Sequence, residues 1–176
     1  MRKEAPRKNL SGQSGQAMLE YAVSAIVMAT LVFGVVDFSR AIYQQQVITT
    51  LAGEGANLAS RGTGGSLSTV LSNTASAVIS DSDLNLSSHG KVIVSAAQTT
   101  GPNVATVIGQ ASQGSLSASS RVGVYQGTAT LPAGAVPQTN QTVYVAEVYY
   151  TFQPITPIGK LIQTVLPVRL YDAAYY

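Results

Sequence analysis

Polar and apolar positions divide the chain into three unlike stretches. Residues 1–15, MRKEAPRKNLSGQSG, carry no apolar spacing that a helix would use. From Gln16 the pattern changes at once. Glu20 is the only charge in the twenty-one residues up to Val36, and the sixteen residues between Glu20 and Asp37 have none. A helix of that length rises about 30 Å, the thickness of a bilayer's hydrocarbon core. The run is apolar on every face, so it predicts a membrane span with Glu20 near an interface. A buried helix of a soluble protein is the competing reading, but no other part of the chain is large enough to surround it.

The helical pattern continues past the apolar run. DFSRAIYQQQVITTLAGEGANLAS contains no proline, and Phe38, Ile42, Val47, Leu51 and Leu58 recur at roughly helical spacing. RGTGGS at 61–66 is the first strong breaker. One helix is therefore predicted over about 16–60, membranous in its first half and amphipathic in its second. Asp37 and Arg40 stand three apart and can pair on one helix surface. A solvated border where the helix leaves the membrane accounts for both.

The remaining residues, 67–176, predict a small α+β domain. Leu67, Val70, Leu71, Val78 and Ile79 fit a short amphipathic helix ending near SDSD. KVIVSAA (91–97) reads as a strand, and the Gln-, Ser- and Gly-rich stretch 98–119 as a long exposed loop. RVGVYQGTATL (121–131) and TVYVAEVYYTF (142–152) alternate with period two, joined by a hairpin loop, LPAGAVPQTNQ. ITPIGKLIQTV predicts an irregular or short helical excursion, and LPVRLYDAAYY a terminal strand. The fold class is thus a long N-terminal helix followed by a short helix and an antiparallel sheet of about four strands. The domain plan is a basic leader at 1–15, the long helix at 16–60, a linker at 61–66 and an extracytoplasmic domain at 67–176.

Charge changes the picture in one respect. The net charge is +2, but Arg2, Lys3, Glu4, Arg7 and Lys8 give the first fifteen residues +3, which leaves −1 for the rest. The other six cations (Arg40, Arg61, Lys91, Arg121, Lys160 and Arg169) are scattered. Nucleic acid needs a basic face on the folded domain, so it is not an expected partner. The basic leader is instead expected to stay cytoplasmic by the positive-inside bias, placing residues after about 40 outside. A cleaved secretory signal also starts basic and then turns apolar. Against it, the run is long, has no clear A-x-A site at its end and continues as an amphipathic helix.

Candidate chemistry is sparse. With no cysteine in the chain, disulfides and thiolate chemistry are excluded. His89, the single histidine, lies in LSSHGK without a ligand partner and reads as an exposed turn residue. GTGGS has no lysine and does not follow a strand, so it reads as a linker rather than a phosphate loop. Asp81, Asp83 and Asn85 alternate as in a calcium loop, but Leu86 stands where an EF-hand needs glycine and Val92 where it needs glutamate. A helix end with a capping Asp accounts for that run. No cofactor and no enzymatic activity are expected.

One motif remains: a small residue suited to cleavage before the apolar run, at Gly15, with Gln16 after it, Glu20 fifth beyond the cut and Tyr21 next. G15|QAMLEY resembles the processing site of type IV prepilins, and the Glu-Tyr pair marks the Flp/Tad subfamily. The stretch over about residues 12–60 is similar to TadE-like pseudopilins, whose helix reads G-Q-A-x-x-E-[FY], an apolar run, G-x-x-D-x-[GS]-R and then R-E-G-A. Gly34, Asp37, Ser39, Arg40 and Glu54-Gly55-Ala56 hold those places, with Gly53 where the family often has a basic residue. Beyond about residue 60 the resemblance is weak. The pair Glu-Tyr argues against a type II secretion pseudopilin.

The resemblance implies cleavage after Gly15 by a prepilin peptidase on the cytoplasmic side. It also implies a minor subunit in the inner membrane with its C-terminal domain periplasmic or extracellular, supporting pilus assembly, adhesion and surface colonisation. The implied partners are the inner membrane, the peptidase, the major Flp pilin, a TadF-like pseudopilin and the Tad platform proteins. Glu20 then has a rationale. A lone carboxylate in lipid costs up to about 2.5–3.5 kcal/mol, and pairing with a neighbour's N-terminal ammonium at Gln16 relieves it. A Glu20 that snorkels to the headgroups is the plainer alternative, and Tyr21 serves equally as an interfacial aromatic. The rival for the whole chain is a monomeric, single-span tether whose head recognises glycan or protein.

Overall fold

The computed structural model describes residues 11–101, 104–132, 134–136, 138–157, 159 and 169–176. Three helices precede and flank a sheet: α1 (Ser11–Arg61), α2 (Leu67–Ser80) and α3 (Leu86–His89), then β1 (Gly90–Gly101), β2 (Val104–Gln113), β3 (Thr142–Thr151) and β4 (Arg169–Tyr175). The sheet is wholly antiparallel in the order β2-β1-β3-β4. The expected class, a long helix followed by a small α+β domain with four antiparallel strands, is the one observed.

α1 is unbroken over 51 residues and starts at Ser11, inside the stretch expected to be a non-helical leader. Its first part, through Val32, stands clear of the other described residues, and the turn from Phe33 to Val36 is partly covered on one side. From Asp37 onwards a stripe is covered: Asp37, Ala41, Gln44, Ile48, Leu51, Ala52, Gly55, Ala56 and Ala59. These recur every three or four residues, as one face of a 3.6-residue helix must.

That stripe corrects the expected one. Phe38, Ile42 and Leu58 are exposed, Val47 is half-buried, and only Leu51 of the five lies in the core. Five of the nine covered positions are Ala or Gly, which lets the helix lie close against β3 and β4. A Cβ placed on Gly55 would come within 3.1 Å of Ala146 and 3.0 Å of Val78.

α2 begins at Ser66, whose Oγ accepts from the Thr69 N–H at 3.3 Å, and so satisfies one of the free donors of its first turn. It lays Leu71, Ala75 and Val78 on β1 and β2. Together α1 and α2 cover one sheet face, where Val92, Val94, Ala96, Ala146, Val148 and Phe152 complete the core. Fully burying a residue such as Leu71 or Ile48 contributes about 1.5–3 kcal/mol.

The strand assignments need two corrections. The expected loop at 98–119 contains β2, which pairs with β1 from Val92↔Gln113 to Gly101↔Val104. The expected strand at 121–131 is not a member of the sheet. Gly123 has φ 139° and Gln126 φ 64°, conformations a strand does not use. The segment turns on itself, with the Thr130 N–H bonded to Val122 O at 2.6 Å. It also lies along the free edge of β2, bonding Val107 and Ala105. The connection from β2 to β3 is therefore one long covering loop rather than a hairpin. Most of the excursion expected at 155–165 lies outside the described residues.

Candidate functional site

The N-terminal end of α1 carries the residues singled out for processing and assembly. Gly15, Gln16, Glu20 and Tyr21 all lie on exposed helix, away from the head. The Gln16 side-chain amide donates to Glu20 Oε1 at 3.0 Å, the reach expected between residues four apart. Gly15 has open space around the position of a side chain. The four residues thus form one accessible strip at the start of the apolar run. That run has mean hydropathy 2.0 over its most apolar eighteen residues, with none of them buried. By length and composition α1 is able to cross a membrane once, as a single anchor.

Asp37 and Arg40 mark the place where the head begins, in a different way from the one expected. Asp37 is fully buried, so a solvated border does not describe it. Its Oδ1 accepts from the Ile155 N–H at 3.1 Å and its Oδ2 from the Thr156 hydroxyl. Arg40, one turn on, donates to Gln153 O at 3.3 Å. Both side chains therefore hold the loop that follows β3. Burying a carboxylate is costly unless donors surround it, and here a backbone amide and a hydroxyl supply them. Charge-assisted bonds of this kind are stronger than neutral ones.

A second buried carboxylate, Glu147, organises the opposite sheet face and is not among the site residues expected from the sequence. Glu147 sits on β3 with no exposure. It accepts from the Ser120 hydroxyl, from the Arg121 N–H at 2.8 Å and from the Tyr171 hydroxyl at 3.1 Å. The Tyr149 hydroxyl shares its proton between Glu147 Oε1 at 3.1 Å and Ser119 O at 2.9 Å. Arg121 lies 3.8 Å from the centre of the Tyr171 ring, a cation–π distance. The covering loop is thereby pinned over Val107, Val122 and Val145. Burial, and then the neighbouring Glu147 charge, push the Tyr149 and Tyr171 hydroxyls well above the usual tyrosine range. The available signal was Glu147 as the only charge in an otherwise apolar and aromatic strand, VYVAEVYY.

The remaining candidates fall at element ends. Asp81 caps α2 through its own N–H, bonded to Ala77 O at 2.9 Å. Asn85 Oδ1 accepts from the Ser87 and Ser88 hydroxyls. Asp81, Asp83 and Asn85 are all exposed, and His89 closes the single turn of α3. Among the described residues no three of His, Cys, Asp or Glu gather closely enough to hold a metal ion.

The family model of TadE-like proteins matches residues 15–57. The matched stretch begins at Gly15 and takes in both Glu20 and the Asp37–Arg40 pair; it covers 43 of the 176 residues. It lies within the stretch, about 12–60, that resembles TadE-like pseudopilins. No curated protein and no solved structure matches the chain.

Proposed function

We propose that the chain is a membrane-anchored minor subunit of a Flp/Tad-type pilus system. In this reading a prepilin peptidase cuts after Gly15, and the helix then packs among others while the head stands outside the cytoplasmic membrane. The observation that carries the reading is the position of the TadE-like match, 15–57. It runs through the exposed apolar segment and on into the helix face that grips the head. A helix that is apolar and unpartnered below the head is what subunit packing in a membrane or filament requires.

After cleavage Gln16 would carry the new ammonium, and Glu20, which accepts from the Gln16 side-chain amide, would pair with the ammonium of a neighbour. The charge pair removes the cost of a lone carboxylate among apolar helices. Tyr21 adds an exposed ring beside it. The chain acts as a structural subunit rather than a catalyst. Its partners are the major Flp pilin, a TadF-like subunit, the peptidase and the platform proteins, and its service is pilus assembly and adhesion.

The test is the intact mass and N-terminal sequence of membrane-extracted protein, made with and without the peptidase. The proposal expects a chain beginning at Gln16 only when the peptidase is present. A chain that keeps residues 1–15 in both cases contradicts it. A cut beyond residue 36 would mean an ordinary secreted protein.

One observation favours the tethered-module reading. An open cleft of about 780 Å³ at the end of the head far from the helix's apolar part is lined by Gln138, Gln141, Thr142, Val143, Tyr175 and Tyr176. Its size is that of a ligand site, and the lining carries amides and aromatic rings without a charged side chain. Pelleting with sheared filaments supports the pilus subunit; membrane monomers with glycan affinity support the tether.

A further inference from the structure

We propose that the loop after β3 is a foot that rests in the membrane's headgroup layer, with Ile155 as its inserted residue. The inference rests on the reading of residues 21–36 as a membrane span. Its starting point is the Asp37 clamp. Helical side chains tilt toward the helix N-terminus, so a group bonded to Asp37 lies over the turn before it. The Ile155 N–H, 3.1 Å from Asp37 Oδ1, is therefore level with the last turn of the apolar run.

Exposure along that turn says the same. Leu31, Val32 and Val35 are 59–65% exposed, whereas Phe33 and Val36 fall to 38–39% on the side that leads into Asp37. The lower margin of the head thus overlaps the end of the span rather than standing above it. One helical turn is about 5.4 Å, and the interfacial layer on each side of a bilayer is about 5–7 Å deep. A loop fixed at Asp37 has nowhere to sit but in that layer when Val36 reaches the hydrocarbon boundary.

The composition of the loop suits the place. FQPITP, 152–157, has no charged residue, and its two prolines remove two backbone donors that would otherwise need water. Gln153, Ile155 and Pro157 point outward while Pro154 and Thr156 are turned toward the protein. Ile155 is 66% exposed on a loop held by Asp37 and Arg40. Arg40 beside it anchors the loop through Gln153 O and is long enough to present its guanidinium to phosphates. Clamp and foot together set the tilt of the head on the membrane.

The chain contains no tryptophan, so a single introduced Trp reports without background. Full-length Ile155→Trp, Val27→Trp and Val124→Trp proteins are reconstituted in phosphatidylcholine–phosphatidylglycerol vesicles. Lipids brominated high or low on the acyl chain then serve as quenchers. The foot predicts blue-shifted emission from Trp at 155, quenched more strongly by the high bromines than by the low ones. Trp at 27 is quenched by the low bromines, and Trp at 124, on the covering loop, by neither. Trp at 155 behaving like Trp at 124, while Trp at 27 is quenched, overturns the foot and leaves the span standing. An unquenched Trp at 27 overturns the span, and the foot with it.

Discussion

The two halves of α1 share one unbroken helix and meet different surroundings. Residues 15–36 are apolar and exposed, whereas 37–61 mix polar and apolar residues and are buried along one face. Among the described residues the more hydrophobic half is the one left uncovered by its own chain, except in its last turn, where Phe33, Gly34 and Val36 are partly covered. In the upper half the covered positions are held largely by Ala41, Ala52, Gly55, Ala56 and Ala59, while Phe38, Ile42 and Leu58 face outward. The contrast separates two properties that are easily merged. Hydrophobicity decides whether a surface leaves water, while side-chain size decides which surface lies against a given neighbour. Below Asp37 only the first is at work, and above it the second selects the face.

Truncation at matched positions in the two halves should have the most unequal effects. Ile48→Ala empties a fully buried site and is expected to lower head stability by about 2–5 kcal/mol. Ile26→Ala, at an exposed position in the lower half, should leave head unfolding unchanged. Urea unfolding in detergent micelles, followed by near-ultraviolet tyrosine dichroism, checks both. Equal losses would mean that the lower half also packs on the head.

Overpacking probes the small-residue face. Ala56→Leu forces bulk into a closed contact with an expected loss of about 1–3 kcal/mol, whereas Ala22→Leu in the exposed half should cost nothing measurable in the same assay.

Removing the boundary clamp should act more locally. Asp37→Ala leaves the Ile155 N–H and the Thr156 hydroxyl without their acceptor, a loss of about 1–2 kcal/mol. Hydrogen exchange should rise at Ile155 and remain unchanged at the β1–β3 ladder. Protection lost across the whole sheet would mean that the clamp supports the entire head.

The smallest effect is a pH dependence confined to the head. Tyr149 and Tyr171 titrate higher when folded than unfolded, so the folded state holds their protons more tightly. Their contribution is fully present below the unfolded value, about 10, and is lost as the pH rises through the folded values. Head stability should therefore fall on the alkaline side above about pH 10, and Tyr171→Phe should flatten that fall. An alkaline limb unchanged in Tyr171→Phe would assign it to other groups.

Much of this architecture was legible in the sequence, for reasons visible residue by residue. The uncharged run, the lack of proline from Gln16 to RGTGGS and the alternation in TVYVAEVYY report α1 and β3, while the spacing of Leu67 to Ile79, KVIVSAA and LPVRLYDAAYY report α2, β1 and β4. The TadE-like stretch was legible for the same reason, since its motif lies within one continuous helix. β2 was missed because VATVIGQASQ is rich in small and polar residues. Its strand state comes from pairing with β1 and from α2 resting on Gly109, where a Cβ would meet Leu67 and Leu71. The alternation of RVGVYQGTATL misled for the opposite reason. Val122 is buried as a strand residue would be, but the turn at 124–127 folds the segment before it joins the sheet. The backbone amides that donate to Asp37 and Glu147 lie 118 and 26 residues away in sequence, beyond any local pattern.

The most direct test of the account is a cysteine scan of α1, since the chain has no cysteine of its own. Single cysteines from 23 to 58 are exposed to a membrane-impermeant maleimide in native membranes. The account predicts uniform protection from 23 to 35. Beyond Asp37 it predicts a helical alternation, with 38, 42, 46, 50 and 54 reactive and 41, 48, 52 and 56 protected. Helical alternation already present between 23 and 35, or even reactivity from 38 to 58, would contradict a helix that passes from lipid to its own head at Asp37.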